Sequence, residues 1–129
     1  MKKKRAILVA DDERDVRRAV GARLSALGYR VIEAASGLAV LTQHLTEPID
    51  VVILDHHMPT GDGRSIARVI RNERAVPIVF LSGQDREHFR ELAMELPDVY
   101  YLPKPLDWHK LETLLDALVR PREPAAQAV

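Results

Sequence analysis

Asp11, Asp12, Asp55, Ser82 and Lys104 are the residues of this chain whose types and spacing suit chemistry. A carboxylate can bind a hard cation or act as a nucleophile, a hydroxyl can donate to an oxyanion, and an ammonium can pair with one. Asp11 and Asp12 close one short apolar run, Asp55 a second and Ser82 a third, while Lys104 falls just past a fourth. If these runs are parallel strands of one open sheet, all five residues meet at the strands' carboxyl ends, where such sheets bind ligands. Three carboxylates gathered there repel by roughly 4 kcal/mol per pair at 4 Å and an effective dielectric of about 20. A cation must compensate, and Mg²⁺, with Mn²⁺ as its substitute, suits one or two carboxylates plus water and phosphate oxygens. Without metal, at least one carboxylate is expected to have a raised pKa from its like-charged neighbours. Nucleophile, metal, hydroxyl and ammonium together point to phosphoryl transfer onto a carboxylate. Singly, each residue has an ordinary reading: Asp11 or Ser82 as a cap, Asp55 as an Asx turn, Lys104 as a surface charge.

The elements that must position these residues alternate between short apolar runs and longer segments of helical period, the pattern of βαβ units and a parallel sheet. Strands are expected at Ala6 to Ala10, Arg30 to Glu33, Val51 to Leu54, Ile78 to Leu81 and Val99 to Leu102. Val16, Val20, Leu24 and Leu27 share one helical face, and Gly28 supplies a stop. Ile66, Val69 and Ile70, then Phe89, Leu92 and Leu96, then Trp108, Leu111, Leu115 and Leu118, mark three more helices with a buried stripe each. A further helix near Gly37 to Leu45 has weaker formers and is ended by Pro48. The fold class is therefore α/β: one (βα)5 domain over residues 1–120, with 121–129, PREPAAQAV, as a flexible tail or linker stub.

Composition narrows the function. Acidic and basic residues number 19 each among 129, which gives no reason to expect direct nucleic-acid binding. The absence of Cys excludes disulfides, thiolate metal sites and a Cys nucleophile, and fits a cytoplasmic protein. No run approaches the roughly 20 apolar residues of a membrane span, so no membrane insertion is expected. The Lys2 to Arg5 cluster reads as a solvated lead-in. Ser82, His57 and Asp55 do not make a hydrolase triad, because no Gly-x-Ser-x-Gly elbow surrounds the serine.

Asp-Asp-Glu at 11–13, VVILDHHMPTGDG at 51–63 with its Met-Pro-x-x-Asp-Gly turn, IVFLSG ending on Ser82, and YLPKP with Lys104 then Pro105 occur in that order. In these motifs the chain, from about Lys4 to Val119, resembles the receiver domain of two-component response regulators, chemotaxis receivers included. The resemblance implies a doubly wound, flavodoxin-like sheet of order 2-1-3-4-5 with helices on both faces. It implies that Asp55 accepts a phosphoryl group from a histidine kinase or histidine phosphotransfer protein. Asp12 and Asp55 would ligate the metal directly, Asp11 through water, and the His57 backbone carbonyl would complete the protein ligands. Ser82 and Lys104 would bind the phosphoryl oxygens, and Tyr101 would follow Ser82 as the switch aromatic. The fourth helix, fifth strand and fifth helix would then present an altered face to a downstream protein. Such a domain catalyses only its own phosphorylation and dephosphorylation, and a homodimer is compatible with it without being required. The Lys104-Pro105 bond resembles the family's cis peptide. His57 and Gln84, two beyond the acceptor and two beyond the hydroxyl, flank the path of an attacking water and are expected to tune phosphate lifetime.

Two rivals remain. Asp55-His56-His57 also resembles the hallmark of DHH phosphoesterases, two-metal hydrolases. Against that stand the expected single short domain, the absence of an upstream Asp-x-Asp pattern, and the unexplained Ser82 and Lys104. A degenerate receiver acting only as a binding module is the other, and the retained Asp11, Asp12, Asp55 and Lys104 argue against it.

Overall fold

A computed structural model describes residues 4–55, 57–58, 61–83 and 86–119. Its elements are β1 (Ala6–Ala10), α1 (Arg14–Ala26), β2 (Arg30–Ala34), α2 (Gly37–Thr46), β3 (Val51–Asp55), α3 (Gly63–Glu73), β4 (Ile78–Ser82), α4 (Arg86–Glu95), β5 (Val99–Pro103) and α5 (Trp108–Val119). All five strands are parallel and lie in the order β2-β1-β3-β4-β5, the 2-1-3-4-5 arrangement expected above. A two-residue ribbon, His57–Met58 antiparallel to Gly61–Asp62, lies between β3 and α3.

Every residue of β1, β3 and β4 is buried, as near-continuous apolar runs require of strands covered on both faces. Alternate side chains feed two cores. Leu8, Val52, Leu54, Ile78 and Phe80 pack with Val40, Ile66, Ile70 and Leu92 under α2, α3 and α4. Ile7, Val9, Val51, Ile53, Val79 and Leu81 pack with Val20, Leu24, Leu111 and Leu115 under α1 and α5. Helices therefore cover both faces.

Two residues expected in the core lie outside it. Leu27 is 50% exposed because α1 stops at Ala26, and the chain turns through Gly28 at φ 98°. Val69 is 48% exposed. It sits roughly 110° round α3 from the centre of the stripe formed by Gly63, Ile66, Ala67 and Ile70. Strand ends also differ: β3 and β4 each run one residue beyond their apolar run, since Asp55 pairs with Leu81 and Ser82 with Pro103. Asp55 and Ser82 are thus the last ladder residues of their strands and not the first residues of loops.

At the opposite pole, Arg71 at the end of α3 donates from Nε to the Val76 carbonyl and from Nη2 to the Asp98 carbonyl, both at 2.7 Å. The Asp98 carbonyl also accepts from the Ile78 amide at 3.1 Å. One guanidinium therefore ties together the segments that enter β4 and β5, and burial pulls its pKa below the usual arginine value. No helix among the described residues is long and apolar enough to cross a membrane.

Candidate functional site

The carboxyl ends of β1, β3, β4 and β5 converge. Asp11 and Asp12 follow β1, whose amide ladder with β2 continues through Asp11 N–H to the Ala34 carbonyl at 3.1 Å. Asp11 is buried and Asp12 exposed, while Asp55 and Ser82 are both buried. Ligand oxygens of Asp11, Asp12 and Asp55 lie within 4.8 Å of one another. Lys104, just past β5, donates from Nζ to Asp55 Oδ1 at 3.2 Å and lies 3.8 Å from Asp11 Oδ2. The Lys104-Pro105 bond is cis.

Each carboxylate is held differently. Asp11 Oδ1 accepts the Glu13 amide at 2.9 Å, closing a turn into α1. Among the described residues, Asp11 Oδ2 is buried with no hydrogen-bond partner and has the longer ammonium contact of Lys104 beside it. Burial pushes the Asp11 carboxyl above its ordinary value; the Glu13 amide opposes this, Asp55 and Asp12 add to it, and Lys104 opposes it. The raised carboxyl expected from like charges is present, but loss of water is its leading cause. An oxygen stripped of water, lacking a donor and facing two further carboxylates suits a hard divalent cation. Asp11, Asp12 and Asp55 are thus a fitting donor set for Mg²⁺.

The Ser82 carbonyl accepts two donors, the Lys104 amide at 2.9 Å and the Tyr101 hydroxyl at 3.4 Å. The Tyr101 ring rests against Phe89 of α4, with centroids 5.1 Å apart. Tyr101 is therefore in contact with both Ser82 and α4. Tyr100, its neighbour, turns to the opposite core and donates to Asp98 Oδ1 at 3.1 Å. The His57 backbone lies in the ribbon directly after β3. His56, Gln84, the His57 side chain and residues 120–129 lie outside what the structure describes.

Sequence reasoning missed Arg17. Its Nη1 donates to the Asp11 backbone carbonyl at 2.8 Å, and its Nε pairs with Glu33 Oε1 on β2 at 3.1 Å. No local pattern marks it, since its partners are a backbone carbonyl and a carboxylate 16 residues away on another element.

Residues 7–116 match the response regulator receiver domain family. A probable transcriptional regulator ycf27 of Cyanophora paradoxa is 37% identical over 120 residues, 93% of this chain and 50% of that protein. The alkaline phosphatase synthesis transcriptional regulatory protein PhoP of Bacillus subtilis (strain 168) is 33% identical over 121 residues, 93% of this chain and 50% of that protein. The chain spans about half the length of these relatives. A two-component response regulator from Clostridium difficile shares the fold, with a TM-score of 0.85 at 23% identity over 91% of this chain and 97% of that one. The family match runs through the very segment, Asp55 to His57, on which the phosphoesterase alternative rested. The chain belongs to the response regulator receiver domain family.

Proposed function

We propose that Asp55 of this domain accepts a phosphoryl group from the phosphohistidine of a histidine kinase or histidine phosphotransfer protein, with Mg²⁺ or Mn²⁺ held by Asp11, Asp12 and Asp55. The observation that supports this most is the buried Asp55 carboxylate, paired with Lys104 and clustered with Asp11 and Asp12. The cation would supply positive charge to the phosphoryl oxygens and offset the three carboxylates. An Asp55 carboxylate oxygen attacks phosphorus, the phosphorus–nitrogen bond breaks, and the donor imidazole leaves with the electron pair. The product is a mixed carboxylic–phosphoric anhydride on Asp55.

Lys104 already faces Asp55 Oδ1, so a small movement carries its ammonium to a phosphoryl oxygen. The Ser82 hydroxyl is one strand away, Asp55 and Leu81 being register partners, and it would donate to a second oxygen. Movement of Ser82 is felt by Tyr101 through the shared carbonyl, and by α4 through the ring contact with Phe89. The face formed by α4, β5 and α5 is the surface proposed for a downstream protein. His57 and Gln84 keep their proposed part in phosphate lifetime, and residues 121–129 theirs as a linker or tail.

Incubation with acetyl phosphate and Mg²⁺ tests the reading. One phosphoryl group per chain is expected by intact-mass measurement, mapping to Asp55 and absent from Asp55→Asn. No modification of wild-type Asp55 would leave only a binding module, and turnover of a phosphodiester with two bound Mn²⁺ would return the hydrolase.

A further inference from the structure

The contact between Arg17 and the Asp11 carbonyl has a specific mechanical meaning. A peptide unit is planar, so the Asp11 carbonyl, the Asp12 amide and the α-carbons of both residues move as one plate. Whatever fixes that carbonyl fixes the points from which two of the three clustered carboxylates hang. The Arg17 guanidinium does so at 2.8 Å through Nη1, and Glu33 holds the same guanidinium through Nε at 3.1 Å. The Arg17 side chain is only 15% exposed, which limits its alternatives. Gly21, one turn further along α1, keeps the helix close to β2: a Cβ there would stand 3.3 Å from Val31 Cγ1 and 3.9 Å from Glu33 Oε2.

We propose that Arg17, braced by Glu33, is a positioning residue that orients the Asp11–Asp12 peptide and thereby sets the affinity of the acidic cluster for a divalent cation. The inference rests on the metal reading given above. It adds that residues remote from the cation, on α1 and β2, determine how tightly it is held, as outer partners of metal ligands generally do. A guanidinium fork can serve carbonyl and carboxylate together, whereas an ammonium is a single point charge.

The test is titration of Mg²⁺ alone into the metal-free full chain, followed by the amide resonances of residues 11–13, for wild type, Arg17→Met, Arg17→Lys and Arg23→Met. Urea unfolding of each is run in parallel, so that affinity is read only from folded protein. Arg17→Met and Arg17→Lys are each expected to weaken Mg²⁺ binding about tenfold or more. Arg23→Met, on the same helix but paired with Glu112 of α5, is expected to bind like wild type. If Arg17→Met does not fold, the lysine variant decides. Wild-type affinity in Arg17→Lys would overturn the proposal, because charge without the fork would then suffice. Equal loss in Arg23→Met would overturn it too, as general loosening. Failure of wild type itself to bind Mg²⁺ is a different result: it removes the metal reading, and the proposal with it.

Discussion

Burying a carboxylate without a donor for each oxygen costs free energy, and among the described residues Asp11 is such a carboxylate. Its pKa lies above 3.8, chiefly from burial, so the metal-free folded protein holds a proton where the unfolded chain has already released it. Ionisation of Asp11 then opposes folding: the penalty is absent well below 3.8, grows as pH rises through the interval up to the folded value, and is constant above it. Asp11→Asn in metal-free buffer should therefore melt higher than wild type at neutral pH, and the gap should close as the medium is acidified below 3.8. A gap independent of pH would mean that shape, not charge, is responsible. The convergence of Asp11, Asp12, Asp55, Ser82 and Lys104 was legible because each sits at the end of an apolar run, and strand ends of a parallel sheet share one rim. Arg17 was not legible, since one of its partners is a backbone carbonyl and the other lies 16 residues away on a different element. A helical arginine with neither partner in view reads as solvated.

At the level of elements, burial separates residues that a pattern treats alike. Ile53 in the central strand β3 has no exposed surface, whereas Val69 on α3 is 48% exposed. Ile53→Ala should cost about 2–5 kcal/mol in urea unfolding, and Val69→Ala should stay within about 0.5 kcal/mol beyond its small propensity gain. Equal losses would contradict the assignment of the two positions. Strand existence could be read from the apolar runs, yet strand ends could not, because Asp55 and Ser82 keep ladder pairing after the hydrophobic signal stops. Helix α2, whose threonines weaken its propensity, still forms over Gly37–Thr46. Ser36 caps it by accepting the Ala39 amide at 3.1 Å, and Val40 is fully buried against the sheet. Tertiary burial outweighs local preference there.

For the whole molecule, net charge is zero, but the charge is not evenly spread. The carboxyl rim gathers Asp11, Asp12 and Asp55, and the Lys104 ammonium pairs with Asp55 and lies beside Asp11. A ligand that binds this rim only in the folded state must stabilise the entire domain by mass action, about 2.7 kcal/mol at a hundred times its dissociation constant. Added Mg²⁺ should accordingly raise the melting temperature of the full chain, a chelator should reverse the rise, and Asp12→Ala should abolish it. A melting temperature indifferent to Mg²⁺ in wild type would argue against a cation at the rim.

The Arg71 tie at the other pole gives the two strands nearest Lys104 an unequal mechanics. β4 and β5 are clamped at their amino ends through the Val76 and Asp98 carbonyls, and at their carboxyl ends they carry Ser82 and lead into Lys104. A beam fixed at one end deflects most at its tip. If phosphorylation draws Ser82 inward, β4 and β5, paired along their length, are expected to move together, least near Arg71 and most beside Tyr101 and α4.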